Sequence, residues 1–198
     1  MIDLNEYRDI LTEIAYKYDK NARGAKYIRK WSKFFAEKNF IIETAQRFGF
    51  LDRVKTAIDI GTGVGVLPYL LKKQSIAVEG TDIDYSTTGP MFRECCDVIN
   101  LKVHYLCIYN NTKMVFPGKY DIAFASRTEF DNQFLNGKEK FNYKFFLDDA
   151  FTYVEKIFIK TNYAGSISVF PDYLKKYLWN PANEGYGNPF SAWYILIK

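Results

Sequence analysis

Residues 57 to 71 read AIDIGTGVGVLPYLL. An apolar run leads into three glycines at alternate positions, Gly61, Gly63 and Gly65, and a second apolar run follows. With the residues before it the first run is VKTAIDI, the near-continuous apolar pattern of a strand buried on both faces of a parallel sheet. A helix is predicted from about Val66 to Lys73, with Pro68 in its first turn, where a missing N–H costs nothing. Strand, glycine turn and helix in that order place backbone N–H groups at a helix N-terminus, at the mouth of a sheet.

The same alternation continues on the C-terminal side. SIAVEGTDI reads as a second strand, and a helix PMFRECCDVI opens at Pro90. LKVHYLCIY and YDIAFAS read as the third and fourth strands, YKFFLDDAFTYV as a helix and EKIFIKT as the fifth strand. PDYLKKYL is helical, NPANEGYGNPF a turn-rich loop, and AWYILIK a closing strand. Strands and helices that alternate in this way imply an α/β fold, a doubly wound and mostly parallel sheet with right-handed crossovers.

Before Val54 the texture is helical. Leu4, Tyr7, Ile10, Leu11, Ile14, Ala15 and Tyr18 keep helical spacing, with Asp3 and Glu6 placed as a capping box. Two further amphipathic patterns follow, Tyr27, Ile28, Trp31, Phe34, Phe35 and then Ile41, Ile42, Ala45, Phe48. The chain therefore divides into an N-terminal helical cap over residues 1–50 and a Rossmann-like domain over 51–198. The helices either lie across the ligand crevice as a lid or cover one face of the sheet, and the lid is the expectation.

Spacing narrows what the glycine turn binds. A phosphate loop needs a Lys followed by Ser or Thr after its last glycine, and none follows Gly65. A dinucleotide fingerprint would put its third glycine at position 66, which is Val66. Asp59, directly before the turn, would repel phosphates. Asp82, 21 residues after Gly61, stands near the end of the second strand, where a carboxylate accepts hydrogen bonds from both hydroxyls of a ribose. The ligand has a ribose, carries positive charge and lacks phosphate, which describes S-adenosylmethionine.

AIDIGTGVGVLPYLL together with EGTDID resembles motif I and the second-strand acid of the class I S-adenosylmethionine-dependent methyltransferases. The resemblance covers roughly residues 54 to 198. It implies that Asp59, Gly61, Thr62, Gly63 and Gly65 line the methionine end of the cofactor, that Asp82 holds the ribose, and that Ile83 adjoins it. It implies a last strand, AWYILIK, that runs antiparallel. MVFPGKYDIAFAS is similar to the approach to the family's fourth strand, so Ser126 borders the active site, and Arg127, Thr128, Glu129 and Asp131 follow it. Many members have an Asp after the third strand for the adenine amine. Here that stretch is CIYNN, so Asn110 or a backbone carbonyl takes the place. The segment between the fifth and last strands is short, so a sixth strand would be reduced.

The acceptor is less legible. Ser126, Arg127, Glu129, Asp131 and His104 are the candidate catalytic residues. SRTEF stands where amino-directed DNA methyltransferases carry an Asp/Asn-Pro-Pro-aromatic run, and no Cys follows a Pro as a cytosine C5 enzyme would need. A transferase that methylates a small molecule is the expected function. RNA, DNA or protein methylation, and S-adenosylmethionine binding without methyl transfer, are the alternatives. Nucleic acid, if it binds, would use the basic residues between Lys17 and Lys33.

Composition is consistent with this. The 198 residues, 48% of them hydrophobic, suffice for a full core. The net charge of +4 argues weakly for an anionic partner. No apolar run approaches the ~20 residues of a membrane span, and MIDLNEYRDI is no signal peptide. Cys95, Cys96 and Cys107 fit a reduced cytoplasmic setting, and a single His with no Cys/His spacing argues against a metal site.

Overall fold

The structure, a computed structural model, describes residues 2–18, 31–83, 89–106, 108–126, 141–162, 165–186 and 192–198. Seven strands form one sheet: β1 (Thr56–Ile60), β2 (Ala77–Asp82), β3 (Val103–Tyr105), β4 (Tyr120–Ser126), β5 (Val154–Lys160), β6 (Leu178–Trp179) and β7 (Tyr194–Ile197). Their order is β3-β2-β1-β4-β5-β7-β6. Strands β1 to β5 pair in parallel, and β7 runs antiparallel between β5 and β6. This order, with its reversed seventh strand, is the class I methyltransferase fold.

Helices cover both faces. α1 (Leu4–Tyr18), α2 (Trp31–Arg47), α3 (Val66–Lys73) and α4 (Gly89–Asp97) pack with Ile122, Phe124, Phe158 and Tyr194 of the sheet in one apolar core. α5 (Tyr143–Ala150) and the short α6 (Asp172–Lys175) pack on the other face, against Ile58, Ile60, Ala123, Ala125, Ile157 and Ile159. The alternation along β1, β4 and β5 thus sends neighbouring residues to opposite cores, as the pleat requires.

Local chemistry sets the helix ends. Asp3 Oδ1 accepts from the backbone N–H of Asn5 at 2.7 Å and of Glu6 at 3.0 Å, which fixes the start of α1. Asn142 does the same for α5, accepting from Phe145 N–H at 3.1 Å. In α1 the buried residues are Tyr7, Leu11, Ile14 and Ala15, the apolar stripe of the sequence pattern. The Tyr7 ring stacks on Tyr69 of α3 at 4.3 Å, and its hydroxyl donates to the Val64 carbonyl at 3.0 Å. Lys17 and Tyr18 reach Glu94 on α4.

Several predicted elements differ from the structure. The patterns ending at Phe35 and beginning at Ile41 belong to one helix, α2, because AEKNF between them holds neither Gly nor Pro to break it. Tyr27 and Ile28 lie outside the described residues. The third strand is three residues long, not nine. The helix predicted through Val154 ends at Ala150, and Val154 already pairs with Tyr120 on β4. The sixth strand is reduced to two residues. Among the described residues no helix is long and apolar enough to cross a membrane, and no group of three or more His, Cys, Asp or Glu side chains could hold a metal ion.

Candidate functional site

The sheet order reverses between β1 and β4, so the crevice at their carboxyl ends is where a ligand binds in this architecture. The glycine turn sits there. Gly61, Gly63 and Gly65 all have positive φ, 72°, 55° and 79°. A side chain at any of them would strain the backbone. The surroundings of the turn differ from one glycine to the next. A Cβ on Gly65 would lie 3.3 Å from the Tyr7 hydroxyl and from Ile99 and 3.5 Å from Cys96 Sγ. A Cβ on Gly63 would meet nothing within 4 Å. The turn therefore rests its back on α1 and α4 and presents Gly63 to open space.

Two carboxylates flank the turn. Asp82, half-buried at the end of β2, accepts from Gly63 N–H at 2.5 Å through Oδ2 and from its neighbour Ile83 N–H at 2.8 Å through Oδ1. Burial raises its pKa, and the two N–H groups oppose the rise. Each carboxylate oxygen has two lone-pair sites, so these bonds leave capacity on both oxygens. Asp82 lines a cleft with Gly63, Ile83, Phe92, Val103 and Tyr105. Arg93 lies 4.9 Å over the Tyr105 ring at its edge.

Asp59, near the end of β1, is 2% exposed. Burial pushes its carboxyl up to about 7; the Lys38 ammonium and the Thr62 hydrogen bond pull it back, and the Asp82 charge adds to the rise. Thr62 Oγ1 donates to Asp59 Oδ2 at 2.9 Å, so its hydroxyl is turned toward the carboxylate. Gly80 on β2 makes room for this, since a Cβ there would stand 2.5 Å from Thr62 Oγ1.

A second group of charges gathers along the same rim. Ser126 ends β4 and faces Lys160 in register at the end of β5. Asp59 is in register with Phe124, and Phe124 with Phe158, so pleat alternation places Asp59, Ser126 and Lys160 on one face. α2 covers that face and contributes Glu37 and Lys38. Lys160 Nζ lies 3.4 Å from Glu37 Oε1, with both side chains buried. Lys38 Nζ lies 5.2 Å from the Phe34 ring centroid and is buried as well. Ser126 Oγ is buried without a hydrogen-bond partner among the described residues.

The structure thus brings Asp59, Thr62, Asp82, Ile83 and Ser126 to the carboxyl rim with the three glycines. His104 is elsewhere. It pairs in register with Thr81, and Thr81 with Ile60, which puts it on the face opposite Asp59. There its Nε2 lies 2.7 Å from Glu79 Oε2, beside Tyr120 and Lys102. Asn110 Oδ1 accepts from the Asn142 backbone N–H at 2.7 Å. Arg127, Thr128, Glu129 and Asp131, and most of the basic stretch from Lys17 to Lys33, lie outside the described residues.

Glu37, Lys38 and Lys160 were missed in the sequence. A signal existed. Glu37 is three residues after Phe34 and four before Ile41, and Lys38 is four after Phe34 and three before Ile41. Both fall inside the apolar stripe of α2 at helical spacing. Lys160 continues the inward series of Phe158 on β5.

No family profile matches the sequence, and no curated protein matches it significantly. Solved structures do. The plantazolicin methyltransferase BpumL in complex with SAH aligns over 85% of this chain at 15% identity and a TM-score of 0.44; this chain spans 66% of that one, just under two thirds. The Thermoplasma acidophilum protein 1320 aligns over 97% of both chains at 14% identity and a TM-score of 0.49. A putative RNA methyltransferase from Pyrococcus horikoshii aligns over 81% of this chain and 72% of its own, at 17% identity and a TM-score of 0.45.

Proposed function

We propose that this protein binds S-adenosylmethionine at the glycine turn and transfers its methyl group to a small molecule. The observation that carries the reading is Asp82. Its carboxylate is oriented by Gly63 and Ile83 N–H groups, lines the cleft and keeps acceptor capacity on each oxygen, a match for a ribose diol. Asp59 supplies negative charge for an ammonium at the other end of the turn. Ile83, Phe92 and Tyr105 offer apolar surface for a base. S-adenosylmethionine, when bound, supplies an electrophilic methyl on a sulfonium. The chain's part is then positioning, which can supply a large share of the rate gain, and exclusion of water.

A small acceptor is favoured because the polar groups along the rim, Glu37 on α2 and Lys160 and Ser126 on the sheet beneath it, are buried. The reading extends to the N-terminal helices as a cap, since α2 carries two charges to that rim.

Calorimetry tests the cofactor. S-adenosylmethionine and S-adenosylhomocysteine should bind, and NAD and ATP far more weakly; tight NAD binding with none for S-adenosylmethionine would refute the proposal. Release of S-adenosylhomocysteine with metabolite pools, and not with RNA or DNA pools, tests the acceptor class.

A further inference from the structure

We propose that Glu37 accepts the proton released during methyl transfer and that Lys160 positions it. The acceptor is then a molecule whose reacting oxygen or nitrogen carries a hydrogen. The inference rests on the methyltransferase reading above. If the ribose is held by Asp82 on β2 and the turn by β1, the reacting end of the cofactor lies toward β4 and β5. Among the described residues, the polar side chains that the register places at that end of the sheet include Ser126, Lys160 and Tyr194 and, from α2, Glu37.

Three features single out Glu37. Both members of the Glu37–Lys160 pair are buried, 1% and 3% exposed at the side chain, and such a pair is no better for stability than apolar residues of the same size. The pair is also slack: 3.4 Å exceeds the ~2.7–2.9 Å of a charge-assisted hydrogen bond. Third, the buried Ser126 hydroxyl, in register with Lys160, has no partner among the described residues, so a second polar group waits at the same place. An ammonium has no lone pair to take a proton, which leaves the carboxylate. Asp59 accepts from the Thr62 hydroxyl at 2.9 Å and, in the reading above, faces the ammonium.

The step balances. The acceptor's lone pair bonds to the methyl carbon as the carbon–sulfur bond breaks. That bond's electron pair goes to sulfur and cancels its positive charge. The acceptor's hydrogen passes as a proton to Glu37, whose carboxylate becomes neutral beside the Lys160 ammonium.

Sinefungin tests this without a known acceptor. It carries a protonated amine where S-adenosylmethionine carries the sulfonium and its methyl, so it reports a carboxylate at that point. Affinities of sinefungin and S-adenosylhomocysteine are measured by calorimetry on the wild type, on Glu37→Gln and on the double variant Glu37→Gln/Lys160→Met. The double variant removes both charges of the pair together, and thermal melts establish which variants are folded. The wild type should prefer sinefungin by at least about tenfold. The preference should fall to near unity in each folded variant, with S-adenosylhomocysteine affinity unchanged. A wild type without the preference, or a folded variant that keeps it, overturns the role of Glu37. A wild type that binds neither ligand overturns the methyltransferase reading and this inference with it.

Discussion

Asp59→Asn should make the protein more stable at neutral and alkaline pH and a poorer binder of its ligand. Burial pushes the Asp59 carboxyl from 3.8 up to about 7. Between those values the native state holds a proton that the unfolded chain has lost, so stability falls as pH rises through the window and levels off above about pH 7. At ~1.4 kcal/mol per pH unit the loss comes to about 4 kcal/mol. Asparagine keeps the shape, accepts the Thr62 hydroxyl and never ionises. The difference between variant and wild type should therefore grow by about 4 kcal/mol from pH 4 to pH 8, a large share of the ~5–15 kcal/mol typical of a domain. Urea unfolding at 25 °C, followed by the fluorescence of the three tryptophans at steps from pH 4.5 to 8.5, reads it directly. Parallel curves for variant and wild type would refute the reasoning, since they would mean that Asp59 titrates alike in both states. In the wild type, S-adenosylmethionine affinity should rise as pH passes about 7, because its ammonium calls for the ionised acid. Asp59→Asn should flatten that dependence.

Asp82→Ala should weaken S-adenosylmethionine binding by about 1.5–3 kcal/mol in calorimetry, through the loss of charge-assisted bonds. An unchanged dissociation constant would show that another acid holds the ribose. Gly80→Ala should lower stability by about 1–3 kcal/mol in urea unfolding, because the new Cβ stands 2.5 Å from Thr62 Oγ1 and must displace it from Asp59. Deleting residues 1–18 should lower the melting temperature and cofactor binding together, since burial of Tyr7, Leu11 and Ile14 is worth roughly 1.5–3 kcal/mol each. A truncated protein that melts like the full chain and loses only turnover would assign α1 to a lid.

The parts of the fold legible in the sequence were those dictated by local pattern. β1, α3, β2 and β4 stand within a few residues of their predicted bounds, because period-two and period-3.6 apolar spacing and the glycine turn are local signals. Asp59 stands out because it lies two residues before the glycine turn, and Asp82 because it ends the next strand, 21 residues after Gly61. β3 and β6 were not legible, since two or three residues carry too little pattern, and their lengths are set by neighbours already in the sheet. The Glu37–Lys160 pair joins residues 123 positions apart on a helix and a strand. Each charge alone breaks an apolar pattern, and only the tertiary fold shows that the two breaks meet. His104 shows the reverse. Its ring chemistry made it a candidate base, and a one-residue step along β3 sends it to the other face.

The placement of β7 between β5 and β6 bears on how the chain is made. Synthesis runs from the N-terminus, so β1 to β5 leave the ribosome while the slot beside β5 is still empty. Until residues 194–197 arrive, the backbone N–H and C=O groups of β5 that β7 will pair form an open edge, the kind that recruits other chains. The nascent protein thus passes through a late interval in which its sheet is five strands wide and adhesive. A chain stalled or cut before Tyr194 would aggregate rather than persist as a shorter protein.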